Sequence, residues 1–304
     1  MRSAIHPLSA ALLVMSVIPA LASAQTLVGR ADSIYTWRGA IPTGGTLVVK
    51  NFNGPIDVRP ASGTTTELRA EKRTRGGDIR DVAFEVQTAS NGDVTICSTR
   101  GRSNSCDDNR NHNDDDDGGW RRQITVAMTV LVPRGVQLRV ATGNGALSVD
   151  RAGGAVRAST GNGRVRIDGT EGVVQVSTGN GDVDVRNAKA SVRVTTGNGD
   201  VNVTTSEGPV EVRSGNGDID VKMSALRARS DMAFHTGSGS VHLTLPANYS
   251  GELDASTGNG SIRSDFDLKV KGQLSPRHVR ATIGDGGPML KMTTGNGEFE
   301  IRKG

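Results

Sequence analysis

The sequence predicts an all-β protein, a single-chain β-solenoid whose coils each repeat after about eighteen positions and carry two strands. Three observations carry that prediction. TGNG stands at Thr142–Gly145, Thr160–Gly163, Thr178–Gly181 and Thr196–Gly199, and SGNG follows at Ser214–Gly217, every copy one constant step after the last. Between these corners an apolar–polar–apolar triplet recurs at half that step, from Leu138/Val140 to Ile219/Val221, and 19 of its 20 apolar positions are Leu, Val or Ile. Strict alternation belongs to a strand with one buried face and does not suit a helix. Finally, no Phe, Tyr or Trp occurs between Pro133 and Ala233, so the core there must close over small β-branched side chains in narrow layers.

Taken from the start, residues 1–24 read as an export signal. Arg2 supplies the charge, Ala10–Val17 the apolar stretch, and Ala22-Ser23-Ala24 the small-residue cleavage site before Gln25. No Cys follows that site, which argues against a lipid anchor, and no later apolar run approaches the ~20 residues of a membrane-spanning helix. The expected location is outside the cytoplasm, in the periplasm or at the cell surface. The formal charge of +4 is spread over interleaved Lys, Arg, Asp and Glu, a pattern that does not favour nucleic acid in an exported chain.

Residues 25–132 form an N-terminal β region of irregular early coils. NFNG at Asn51–Gly54 sits between Leu47/Val49 and Ile56/Val58, and ASNG at Ala89–Gly92 precedes Val94/Ile96, so both read as corners. An acidic loop over 98–120 interrupts this region. Cys97 and Cys106, close in the chain, are disulfide candidates in an oxidising compartment, with two free thiols as the alternative.

Residues 133–304 form a regular solenoid that loosens after Val221. In its regular part each unit reads strand, GNG corner, strand, looser corner. Asn-Gly between strands is also a hairpin signal. A meander, however, would need a separate cover for its apolar face, whereas the two layers of a solenoid cover each other across about 10 Å. In the solenoid Asn144, Asn162, Asn180, Asn198 and Asn216 stack about 4.8 Å apart as an amide ladder. The Gly-rich corner is no phosphate cradle, because no helix follows it. Further corners are expected at Thr236–Gly239, Thr257–Gly260 and Thr294–Gly297, with insertions bulging from the opposite side, the longest over 266–287. The last strand-like unit ends at Ile301, so an uncapped terminal coil and self-assembly through its edges are a further expectation.

The stretches GGTLVVKNFNGPIDV (44–58), VPRGVQLRVATGNGALSV (132–149) and the GNG-led strands through Val221 resemble the bacterial putative-adhesin family of β-strand-repeat proteins. The resemblance spans about residues 35–304. It implies a β-solenoid-like domain in an exported envelope protein and carries no catalytic residue pattern.

Candidate sites are few. Asn113, Asp115 and Asp117 before Gly118 fit the first half of a calcium loop, but Ile124 stands where the closing Glu belongs, and a solvated acidic excursion is the simpler reading. Asp182, Asp200 and Asp218 follow three successive corners and form a column whose repulsion needs arginines or cations to relieve it. His235 and His242 flank the TGSG corner and point outward without a third ligand. No catalytic set is evident and no cofactor is implied beyond Ca2+ at the acidic loop. Three functions compete: an exported structural or adhesive module that binds an envelope or surface polymer or protein as a monomer or small oligomer, a self-assembling scaffold, and a polysaccharide-active β-helix enzyme. The enzyme would need acids and aromatic sugar platforms in one cleft, and the sequence does not place Trp37, Trp120 and Tyr249 together.

Overall fold

A computed structural model describes residues 25–75, 77–100, 106, 124–226, 230–272 and 275–304. The signal-peptide reading, Trp120 and the calcium candidates Asn113, Asp115 and Asp117 lie outside these residues. Strands assemble into a 14-stranded and a 12-stranded sheet that share one core, and most of their pairings are parallel. Each regular coil contributes one strand to each sheet. In the first coil these are Gln137–Asn144 and Leu147–Asp150, and in the next Val156–Asn162 and Val165–Asp168. Registers advance by one full repeat per coil without a slip through the GNG corners: Val156 pairs with Val174, Val174 with Val192, and Val192 with Val210. Alternation decides which side chains enter. Val192, Val194 and Thr196 are buried while Arg193 and Thr195 between them are exposed.

Five regular coils, 137–150, 156–168, 174–188, 192–205 and 210–223, stack in chain order. Beyond them the order departs from the sequence. Coil 232–245 is followed in space by the terminal coil 289–303, and only then by coil 251–264. The terminal coil is therefore interior, which corrects the expectation of an uncapped last unit. Residues 266–287 do not simply bulge, because strand His278–Ile283 pairs antiparallel with Gly251–Asn259 and with Leu268–Val270, closing that end of the 14-stranded sheet.

The opposite end repeats the device. Coil 46–60 packs between coil 137–150 and the strands Val94–Arg100 and Ile124–Val132. Antiparallel strands Val82–Thr88 and Thr65–Thr74, then Gln25–Val28 and Ile34–Ala40, finish the two sheets. ASNG at 89–92 is thus the turn of an antiparallel hairpin and not a corner. Gly92 N–H donates to the Ala89 carbonyl there and Ala89 N–H to that of Asp93, both at 2.9 Å. The sequence alone could not separate the two because Asn-Gly serves both geometries.

Candidate binding faces and corner edge

The corner edge is built letter by letter. The first residue of each TGNG is buried and donates its hydroxyl to the carbonyl of the last glycine in the neighbouring coil: Thr160 to Gly145 at 3.0 Å, Thr236 to Gly217 at 3.0 Å, Thr294 to Gly239 at 2.9 Å. The first glycine passes so close to the next coil that a Cβ at Gly161 would lie 2.5 Å from the Gly143 carbonyl oxygen. The second glycine turns the chain with φ between 133° and 156° in the five regular corners, a range that side chains other than glycine avoid. Asparagine completes the ladder. Asn162 donates to Asn144, Asn180 to Asn162 and Asn198 to Asn180 at 2.8 Å, and Asn216 to Asn198 at 2.7 Å. Ser238 takes the asparagine place in the next coil, and Asn259 donates to Asn296 at 2.8 Å beyond it.

The aspartate column beside the corner is relieved mainly by the backbone. Asp200 N–H donates to Asp182, Asp218 N–H to Asp200 at 2.9 Å and Ser240 N–H to Asp218 at 2.7 Å, while Arg164 pairs with Asp182 at 2.8 Å. The Arg164 hydrogen bond, joined by the Asp200 N–H, holds the Asp182 carboxyl below its ordinary range.

The outer face of the 12-stranded sheet neutralises itself. Arg166 and Arg186 converge on Asp184, Arg59 on Asp57 and Arg302 on Glu300. A shallow groove lined by Asp220, Lys222, His242, Thr244, Glu300 and Arg302 lies on this face. His242 Nδ1 is 3.1 Å from Asp220 Oδ1, and the Arg302 hydrogen bond holds Glu300 below the usual carboxylate range. His235 stands on the outer face of the other sheet, so the two histidines flanking the TGSG corner are not brought together.

The outer face of the 14-stranded sheet is different. Val48, Arg139, Arg157 and Gln175 are neighbours along one outward row, and Arg157 donates to the neutral Gln175 Oε1 at 2.7 and 3.0 Å. Carboxylates enter the row only further along, where Glu211 pairs with Arg193 at 2.6 Å. Two guanidinium groups on adjacent strands can receive an extended anionic group in a bidentate manner.

Near the N-terminal end of this sheet Cys97 and Cys106 form a disulfide with a Cα–Cα distance of 6.0 Å. Trp37 and Tyr249 are not brought together, although Tyr35 stacks on Phe84 with ring centroids 4.6 Å apart and Tyr249 meets Phe266 edge-on at 6.2 Å. Trp37 lies on the edge strand Ile34–Ala40, whereas Tyr249 is buried near the other end of the stack, where burial pushes its hydroxyl up to about 12. Among the described residues no helix is long and apolar enough to cross a membrane.

A family model described as Toastrack DUF4097 matches residues 80–302. Two solved structures are similar at low identity. One is a putative cell adhesion protein from Clostridium sporogenes ATCC 15579, 10% identical, with 89% of this chain and 100% of that chain covered and a TM-score of 0.28. The other is a putative adhesin from Bacteroides fragilis NCTC 9343, 11% identical, with 88% and 96% covered and a TM-score of 0.48. No curated protein matches the chain.

Proposed function

This chain belongs to the Toastrack DUF4097 family, and from that premise we propose that it is an exported, non-catalytic envelope module that holds an envelope or surface polymer or protein on the outer face of its 14-stranded sheet. The observation that carries this reading is the contrast between the two faces. On the 12-stranded sheet acid and base pair within the face, whereas Arg139 and Arg157 stand side by side on the 14-stranded sheet with no carboxylate at the positions paired with them. A rigid face with uncompensated cations favours an anionic partner, and the attraction weakens with salt. Export and the periplasmic or cell-surface location rest on residues 1–24.

Co-sedimentation of the purified protein with envelope fractions, with and without chelator, tests the reading. The double variant Arg139→Glu, Arg157→Glu is expected to bind about tenfold or more weakly, as the loss of two charge-assisted contacts implies. Arg186→Glu on the other sheet is expected to change little. Equal loss from both variants, or from neither, would refute the face assignment. The self-assembly reading draws no support from the terminal coil, whose strand Phe299–Lys303 is paired on both sides.

A further inference from the structure

We propose that Glu85, Cys97 and Cys106 form a redox-gated site for a thiophilic divalent cation such as Zn2+, closed as the disulfide and opened by reduction. On the outer face of the 14-stranded sheet Glu85 lies directly across from Cys97 on the adjoining strand. A Glu85 carboxylate oxygen and the two sulfurs all fall within 4.8 Å of one another, and among the described residues no other trio of His, Cys, Asp or Glu side chains is so placed.

The carboxylate is what makes this more than a structural cystine. Glu85 is only 1% exposed, and among the described residues its hydrogen-bond donor is the neutral Gln87 amide, 2.7 Å from Oε1. Its other oxygen, Oε2, points at Cys97 Sγ from 4.0 Å. Positive charge stabilises a buried carboxylate, and a metal held between it and two thiolates would supply that charge. Lys50, across from Cys97 on the other side, donates to the Cys106 carbonyl at 3.0 Å and so ties Cys106 to the sheet beside the two sulfurs.

The chemistry balances simply. A dithiol donor delivers two electrons and two protons, the S–S bond breaks, and the donor leaves as its own disulfide. Metal binding then expels the two thiol protons. Two thiolates and one carboxylate leave a fourth tetrahedral position for water. The sulfurs must separate from bonding distance to about 3.8 Å, as two Zn–S bonds of about 2.3 Å require. Cys106 belongs to no strand, so its displacement would break no strand pairing.

The experiment titrates Zn2+, and Co2+ as a coloured probe, into the whole protein in two states. One is oxidised; the other is reduced with a phosphine under nitrogen and then freed of it. One equivalent is expected to bind only after reduction, with thiolate-to-cobalt charge-transfer absorption. Glu85→Gln is expected to weaken the reduced site by about tenfold or more. Binding by the oxidised protein, no binding by the reduced protein, or unchanged affinity in Glu85→Gln each overturns the proposal. Should that variant not fold, X-ray absorption of the wild-type zinc complex decides: two sulfur and two lighter ligands support the site, and any other sulfur count refutes it.

Discussion

Side chains at the corner are chosen by the coil next door. Asparagine could be assigned from the repeat because a ladder needs only identical residues at a fixed period. Threonine and the first glycine could not, since their partners are carbonyl oxygens of another coil. Substitutions at the second glycine and at the threonine test the corner separately. Gly163→Ala places a methyl against the Gly145 carbonyl at φ 155°, and an expected loss of at least about 2 kcal/mol is readable by chemical denaturation. Thr160→Val leaves that carbonyl without its hydroxyl donor, and about 1 kcal/mol is expected. The acid limb of stability follows from Asp182. Its folded carboxyl titrates below the unfolded value of about 3.9, so its contribution is complete above that pH and is lost as pH falls through the folded value. Asp182→Asn is expected to flatten this limb in pH-dependent denaturation and leave the slope near neutral pH unchanged, where neither state titrates this group.

Coils behave as interchangeable units because their registers match from the GNG corners into both sheets, with one shift between Val185 and Ala188. Excision of residues 164–181 joins Gly163 to Asp182 and preserves every corner, since Val165 pairs with Val183 and Asn162 with Asn180. A shorter protein with a cooperative transition is expected. Excision of 164–180, one residue fewer, reverses the parity of the downstream strands and is expected to give an aggregated or unfolded product by circular dichroism and gel filtration. Strand identity was readable at this scale wherever Val alternated with a polar residue. It was misread at Asn91-Gly92, where flanking strands run antiparallel, because the same dipeptide closes a hairpin. The aromatic rings also follow from coil shape. The buried Phe84, Phe234 and Phe299 all lie outside the valine-filled middle.

The whole stack is held by two coils out of sequence. Coil 289–303 sits between coils 232–245 and 251–264, so deletion of 289–304 opens a slot inside the body and does not merely trim its end. Loss of cooperative unfolding or dimerisation through the exposed edges is expected, checked by analytical ultracentrifugation. Coil 46–60 plays the same part at the other end. By itself the sequence determined the all-β class, the length of the coil, the corner and the inward valines, because each depends on side-chain alternation within one coil and its identical neighbour. Which coil lies beside which was decided only in three dimensions. Every coil offers the same pair of strand edges in the same register, so the repeat cannot rank its neighbours. The connecting segments and antiparallel caps make that choice, and with it they bring Glu85, Cys97 and Lys50 onto one face.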